Sequence, residues 1–160
     1  MKIVHDTDHS EGVGKSSSRD LLEDILSRPL FAHLSTSHEN GPRDSPVWFL
    51  WEEEAVWIIG NYRVDSFPKR IECNPKCAIG IVDFNIETGL VHHVGFRGRA
   101  VLLPQEKQQV KRLFNRYMGE QEQWDPRFDA VLGDDNWMFV RFEPETVVVR
   151  DQSYKLRPLE

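Results

Sequence analysis

The chain has 160 residues, of which 39% are hydrophobic and 29% charged, and its formal net charge is −6. This composition is that of a globular protein and excludes a largely disordered chain. The acidic balance argues against a general nucleic-acid binder, and no apolar run is long enough to cross a bilayer. We therefore predict one globular domain over 17–160, with neither nucleic acid nor a membrane among its partners.

The first sixteen residues are polar and lack the apolar centre of a signal peptide. His5, Asp6, Asp8 and His9 carry groups that bind metal ions, but a solvated tail is the simpler interpretation. We predict that 1–16 is a flexible tail and that the protein holds no metal.

The sequence contains two cysteines, Cys73 and Cys77, with Pro75 between them. Two thiols without companion ligands make a poor zinc site, and the intervening proline makes a disulfide unexpected. So few cysteines are typical of a reduced compartment, and we predict a cytoplasmic protein.

Three helices are predicted from capping residues, prolines and apolar periodicity. Their starts are marked by Ser17, Ser66 and Pro104, and their ends by Pro29, Asn74-Pro75 and Gly119. Ser17 and Asp20 also match a capping box, in which each side chain bonds the backbone of the other residue.

Apolar, β-prone segments account for most of the remaining chain. They are 30–37, 46–52, 55–61, 76–84, 91–103, 137–144 and 146–151. Asn40-Gly41 predicts a hairpin between the first two segments, and Gly95 and Gly98 predict a bulge or a close backbone approach.

About six mostly antiparallel strands punctuated by helices predict a small α+β barrel. A doubly wound sheet is not expected, because strands and helices do not alternate and no phosphate-binding glycine motif occurs. Large apolar side chains fall on both faces of the strands, as in Trp48-Phe49 and at Trp51, Trp57 and Ile59. One face fills the barrel and the other needs a cover, so we predict a homodimer.

Residues 63–76 form a basic stretch in this acidic protein, with Arg63, Lys69, Arg70 and Lys76. The hydroxyl of Ser66, the free N–H groups of a first helical turn and the Lys69 ammonium are suited to bind one phosphate. An ordinary helix cap beside a solvated lysine is the alternative interpretation.

His92 and His93 are adjacent on a predicted strand, so their side chains point to opposite faces and cannot act as a pair. No nucleophile motif occurs, and the paired carboxylates fall in turns, so no catalytic residue is predicted. If the protein is an enzyme, a bound cofactor carries the chemistry.

Several local patterns follow one another in a familiar order. They are a leading helix, a strand ending in LSTS, an N-G-P hairpin, SPVWFLW, a third strand, K-R-I-x-x-N-P, and HVGFRGRA with a helix behind it. This order resembles the pyridoxamine 5′-phosphate oxidase-like family of flavin-binding split β-barrels, over about residues 17–150.

The resemblance implies a homodimeric split β-barrel with flanking helices and two FMN molecules at the subunit interface. It also implies an FMN-dependent oxidoreductase that transfers hydride between flavin and an unidentified small substrate. By position, the flavin contacts would be Ser45, Pro46, Val47, Trp48, Phe49, Asn61, Ser66, Lys69, His93, Arg97, Trp137 and Arg141. In this assignment, Ser66 and Lys69 hold the phosphate.

The sequence departs from the oxidase itself in two places. Ser66-Phe67 stand where the oxidase has an Arg-Lys pair, and the C-terminal Arg-x-His substrate signature is missing. Oxidation of vitamin B6 is therefore not expected. The wider group leaves three alternatives open: a non-catalytic flavin- or haem-binding protein, a deazaflavin-dependent reductase, and FAD in place of FMN.

Overall fold

The computed structural model describes residues 1–3 and 17–157. The strands in this part of the chain are β1 (Lys2–Ile3), β2 (Ala32–Thr36), β3 (Arg43–Val47), β4 (Leu50–Glu52), β5 (Ala55–Asn61), β6 (Lys76–Asn85), β7 (Leu90–Pro104) and β8 (Trp137–Asp151). The helices are α1 (Ser18–Ser27), α2 (Phe67–Cys73), α3 (Lys107–Met118) and α4 (Pro126–Asp129). Two short 3₁₀ turns, Gln121–Gln123 and Ala130–Gly133, flank α4.

The eight strands of the described residues exceed the number predicted, which was about six. The predicted strand over 46–52 is wrong, because the chain breaks between Val47 and Leu50 to form β3 and β4. Strand β1 (Lys2–Ile3) was not predicted, and the rest of the predicted tail, residues 4–16, lies outside the described residues. The possible metal-binding residues of that tail lie outside the described residues.

The sheet runs in the order β3-β2-β6-β7-β8-β5-β4, and β1 pairs with β8 in parallel. The ladders between neighbours along this path are antiparallel. The fold is therefore the predicted mostly antiparallel α+β architecture. Its two end strands, β3 and β4, are consecutive in the chain and are joined by Trp48 and Phe49.

Two hydrophobic cores lie on the two faces of the sheet. The first packs Leu22, Ile25 and Leu26 of α1 against the inward side chains of the strands. The second packs α3 against the opposite face of β4, β5 and β8, with Trp57 and Phe139 at its centre. The helices therefore cover the two faces of the sheet unevenly.

The helix ends follow from local hydrogen bonds. The predicted capping box is confirmed, since Ser17 Oγ accepts from the Asp20 amide at 3.2 Å and Asp20 accepts from the Ser17 amide at 3.1 Å. Helix α3 begins later than predicted, because Pro104 closes β7 and the carboxylate of Glu106 caps the first turn. Gly119 ends α3 with a φ of 84°, as predicted.

The predicted bulge occurs on the β7–β8 ladder, where the register shifts between Arg97 and Gly98. Arg97 pairs with Thr146 and Gly98 with Pro144, so Glu145 is the extra residue. A Cβ on Gly98 would lie 2.0 Å from the carbonyl oxygen of Glu143. This close approach explains why the position needs glycine.

Candidate functional site

The start of α2 has a free first turn. Ser66 occupies the N-cap position but has helical φ and ψ angles, and among the described residues no side chain caps the turn. Its Oγ instead accepts a hydrogen bond from the Arg70 guanidinium at 2.6 Å. The predicted capping role of the Ser66 side chain is therefore wrong, since this hydroxyl orients Arg70.

Arg70 lies between α2 and the sheet. Its Nε donates to Oγ1 of Thr36, a residue of β2 that is 2% exposed, at 2.7 Å. Burial and, second, the neighbouring charge of Arg43 lower the pKa of Arg70. Arg43 is also the register partner of Thr36 across β2 and β3, so both arginines lie beside this threonine and an anion here would be attracted by both.

Sequence reasoning did not identify Arg43 or Thr36 as partners of this site. Thr36 is 34 positions from Arg70 in the chain, and no local pattern links the two residues. The contact depends on how β2 is placed against α2, which only the folded structure shows.

Three of the predicted site residues lie around the turn that precedes α2. The amide oxygen of Asn61 accepts from the backbone of Arg63 at 3.0 Å and of Val64 at 3.3 Å, which fixes the turn. Lys69 Nζ lies 5.7 Å from the ring centroid of Tyr62. Trp137 pairs with Asn61 across β5 and β8, so it belongs to the same region.

The segment from β3 to β4 uses most of its side chains for packing. Trp48 lies between Tyr117 and Phe128, with ring centroids 4.6 Å and 5.5 Å apart. Val47 and Phe49 are buried. What remains accessible to a ligand is Ser45-Pro46 and the backbone along the open edge of β3, which ends the sheet.

The outer face of β6 and β7 carries two further predicted residues. His93 is half-buried. Burial lowers the pKa of its imidazole, and the positive charge of Arg150 lowers this pKa further. Arg97 is exposed, four residues along the same strand, about 13 Å away at the usual strand rise. Between them Gly80 and Gly95 pair across the strands, and a Cβ on Gly80 would meet no atom within 4 Å.

This outer face also exposes large apolar side chains. Val82 and Phe84 on β6 are 53% and 55% exposed, and Phe31, which precedes β2, is 55% exposed. Because Ile81 points into the core, the alternation of the strand directs Val82 outward. In the described residues no helix packs over this part of the sheet, since α3 covers the other end.

Arg141 lies in a third region. It sits on β8 with its guanidinium 5.5 Å from the ring centroid of Trp57, and it forms an ion pair with Glu143. A single chain therefore does not gather all the predicted residues. It places Asn61, Ser66, Lys69 and Trp137 near α2, and the others on β3, on the outer face of β7 and on β8.

The chain belongs to the pyridoxamine 5′-phosphate oxidase family, whose model matches residues 18–147. Comparison of the sequence with curated proteins gives no match. Among the described residues, no cluster of three or more metal-binding side chains occurs, and no helix has the length and hydrophobicity of a membrane span.

Solved structures share the fold at low sequence identity. The conserved hypothetical protein Rv2991 from Mycobacterium tuberculosis is 16% identical, with a TM-score of 0.69 and 96% of each chain covered. A protein named F420 reductase is 22% identical, with a TM-score of 0.61, covering 78% of this chain and 94% of its own. The haem storage protein HutZ from Vibrio cholerae is 16% identical, with a TM-score of 0.65 and coverages of 82% and 93%.

Proposed function

We propose that this protein is an FMN-dependent oxidoreductase that works as a homodimer in the cytoplasm. The observation that carries the proposal is the uncapped start of α2, where Arg70 bonds both Ser66 and Thr36 and Arg43 is the register partner of Thr36. This site lies within residues 18–147, which the family model matches.

The residues present fit a flavin phosphate. Arg43, Arg70, the Ser66 hydroxyl and Lys69 supply the charge and the hydrogen-bond donors that a phosphate needs. Ser45 and the open edge of β3 offer polar groups for the rest of the molecule.

A second copy of the chain would complete the site, because one copy leaves the predicted site residues in separate regions. The exposed apolar face with Phe31, Val82 and Phe84 needs a cover, and the predicted residues His93 and Arg141 lie away from α2. In a two-fold dimer the same surface meets its copy, and we expect this interface to bury the apolar face and to bring His93 and Arg141 to the partner's phosphate region.

Bound FMN would supply the capacity to accept and release a hydride. The residues of the chain would bind the cofactor, orient it and shield it from water. The lowered pKa of His93 keeps its imidazole neutral near pH 7. It therefore hydrogen-bonds without adding charge. Because no side chain is assigned as acid or base, the fit of the substrate beside the cofactor determines the reaction.

The first test is the visible absorption spectrum of freshly purified protein and of the supernatant after heat release. Flavin bands, with FMN in the supernatant, are the expected result. A Soret band would show that the cofactor is haem and not FMN. Uptake of a deazaflavin alone would identify the deazaflavin as the cofactor. A colourless protein that binds none of these on titration would overturn the proposal.

Turnover is tested separately, by adding a reduced nicotinamide to the flavin-loaded protein under air. Continuous consumption of the nicotinamide is expected of an oxidoreductase. A single stoichiometric change in absorbance would instead identify a flavin carrier.

A further inference from the structure

An open groove of about 490 Å³ crosses one end of the sheet, over β2, β6, β7 and β8. Its floor is formed by Ala78 and Gly98 among other residues of the strands. The charged side chains that line it are Lys76, Arg97, Arg99 and Glu145. Hydroxyl groups come from Ser35, Thr36 and Ser37.

The three cations are placed unfavourably for an empty surface. Lys76 and Arg99 are directly opposite each other on β6 and β7, and Arg97 follows two residues along the same face. Like charges opposed across a ladder destabilise a sheet. Across the described part of the chain, none of the three forms an ion pair.

The nearby carboxylates do not remove this excess of positive charge. Glu143 is the register partner of Arg99 on β8, but it pairs with Arg141. Glu145, the extra residue of the bulge, is exposed and leaves the groove with three cations against one anion.

We propose that this groove binds a small phosphate-bearing ligand, at a site separate from the phosphate region at α2. Guanidinium groups bind phosphate oxygens in pairs, and an ammonium adds a point charge, so Arg97, Arg99 and Lys76 are matched to such an anion. The serine hydroxyls of β2 are further donors. Glu145 favours an ester whose other end carries an amine or a hydroxyl.

The groove borders the proposed flavin site and shares with it Thr36 and the predicted flavin contact Arg97, whereas Lys76 and Arg99 belong to the groove alone. Thr36 lines the groove and accepts a hydrogen bond from Arg70 at 2.7 Å, and the same guanidinium bonds Ser66 at the start of α2 at 2.6 Å. Binding of FMN at α2 leaves Lys76 and Arg99, which are not among the predicted flavin contacts, available to another anion.

The experiment is calorimetric titration of the purified full chain with inorganic phosphate, without flavin and again saturated with FMN, at constant ionic strength set by potassium chloride. We expect phosphate to bind in both cases. Arg97→Ala and Lys76→Ala should each weaken it roughly tenfold or more, the loss of one charged hydrogen bond. Lys107→Ala removes an exposed cation of α3 and should change nothing.

Titration with O-phosphoethanolamine distinguishes free phosphate from an ester. If the ester binds more tightly than phosphate and Glu145→Gln removes that difference, the ligand is an amine-bearing phosphate ester. Equal binding of the two would identify phosphate itself. Thermal unfolding confirms that each variant is folded. Lys76→Gln should raise the melting temperature of the ligand-free protein, because it removes the repulsion with Arg99.

Absence of phosphate binding, or a response that chloride reproduces, would overturn the proposal. The proposal would also be overturned if FMN and phosphate competed for binding and Arg97→Ala weakened the binding of both by the same factor. That result would make the groove part of the flavin site. The titration without flavin stands even if the protein binds no FMN, so the two proposals fail separately.

Discussion

The indole ring of Trp48 lies flat against the phenol ring of Tyr117, with 4.6 Å between the centroids and 4° between the planes. The hydroxyl of Tyr117 accepts from the Phe49 amide at 3.1 Å and donates to the Leu30 carbonyl at 2.7 Å. One residue of α3 therefore fixes both the side chain and the backbone of the link between β3 and β4.

Tyr117→Phe should destabilise the protein by about 1–3 kcal/mol, because it leaves the Phe49 amide and the Leu30 carbonyl without their partner. The measurement is urea denaturation followed by tryptophan fluorescence. Tyr62→Phe is the control, since its hydroxyl bonds only the exposed Glu72 and should matter little. Equal effects of the two substitutions would contradict the role assigned to Tyr117.

Lys69→Ala and Arg70→Ala should weaken FMN binding, each by about 1.5–3 kcal/mol if it removes a charged hydrogen bond to the phosphate. Fluorescence quenching of FMN gives the dissociation constant. Arg19→Ala, on the exposed face of α1, is the control. Unchanged affinity in both α2 variants would refute the phosphate assignment and leave the fold intact.

Val82→Asp should convert the dimer to a monomer, since it places a charge on the apolar face that we expect the partner to cover. Sedimentation velocity gives the mass directly. Val64→Asp alters a side chain that is 82% exposed in a turn and should leave the mass unchanged. A wild-type protein that sediments as a monomer would remove the homodimer from the proposed function.

Gly98→Ala should destabilise the protein by about 1–3 kcal/mol, the usual cost of forcing atoms into a packed site. The new Cβ would meet the Glu143 carbonyl oxygen, and the backbone cannot move away without breaking the bulge. Gly133→Ala is the matched control, because a Cβ there would meet no atom within 4 Å. Thermal unfolding of both variants checks the prediction.

The two cysteines should differ in reactivity toward a thiol reagent at pH 8. Burial raises the pKa of the Cys77 thiol to about 11, so it remains protonated, whereas Cys73 is exposed. We expect one thiol to react in the native protein and both after unfolding in guanidinium. Rapid reaction of both thiols in the native state would show that β6 opens readily.

The parts of the fold that could be predicted from sequence are those that neighbouring residues determine. The Ser17–Asp20 capping box and the Asn40-Gly41 hairpin are local patterns, and both occur in the structure. The glycine of the bulge was also foreseen, because few other residues tolerate a close backbone approach.

The remaining features depend on contacts between distant segments. Nothing near Trp48 shows that Tyr117 and Phe128 will enclose its ring, and its predicted contact with the flavin stays a prediction. The pairing of Arg70 with Thr36 likewise follows from the order of the strands. Local patterns therefore indicate the elements, and long-range packing determines which cations face each other.

The last strand of the chain, β8, lies inside the sheet between β5 and β7. During synthesis, β4 and β5 can therefore not join β6 and β7 until β8 has left the ribosome. Until then β5 and β7 present unpaired edges, which are sites for aggregation. A truncated chain that lacks β8 would remain in that state, so chaperones that hold nascent chains should bind this protein until β8 emerges.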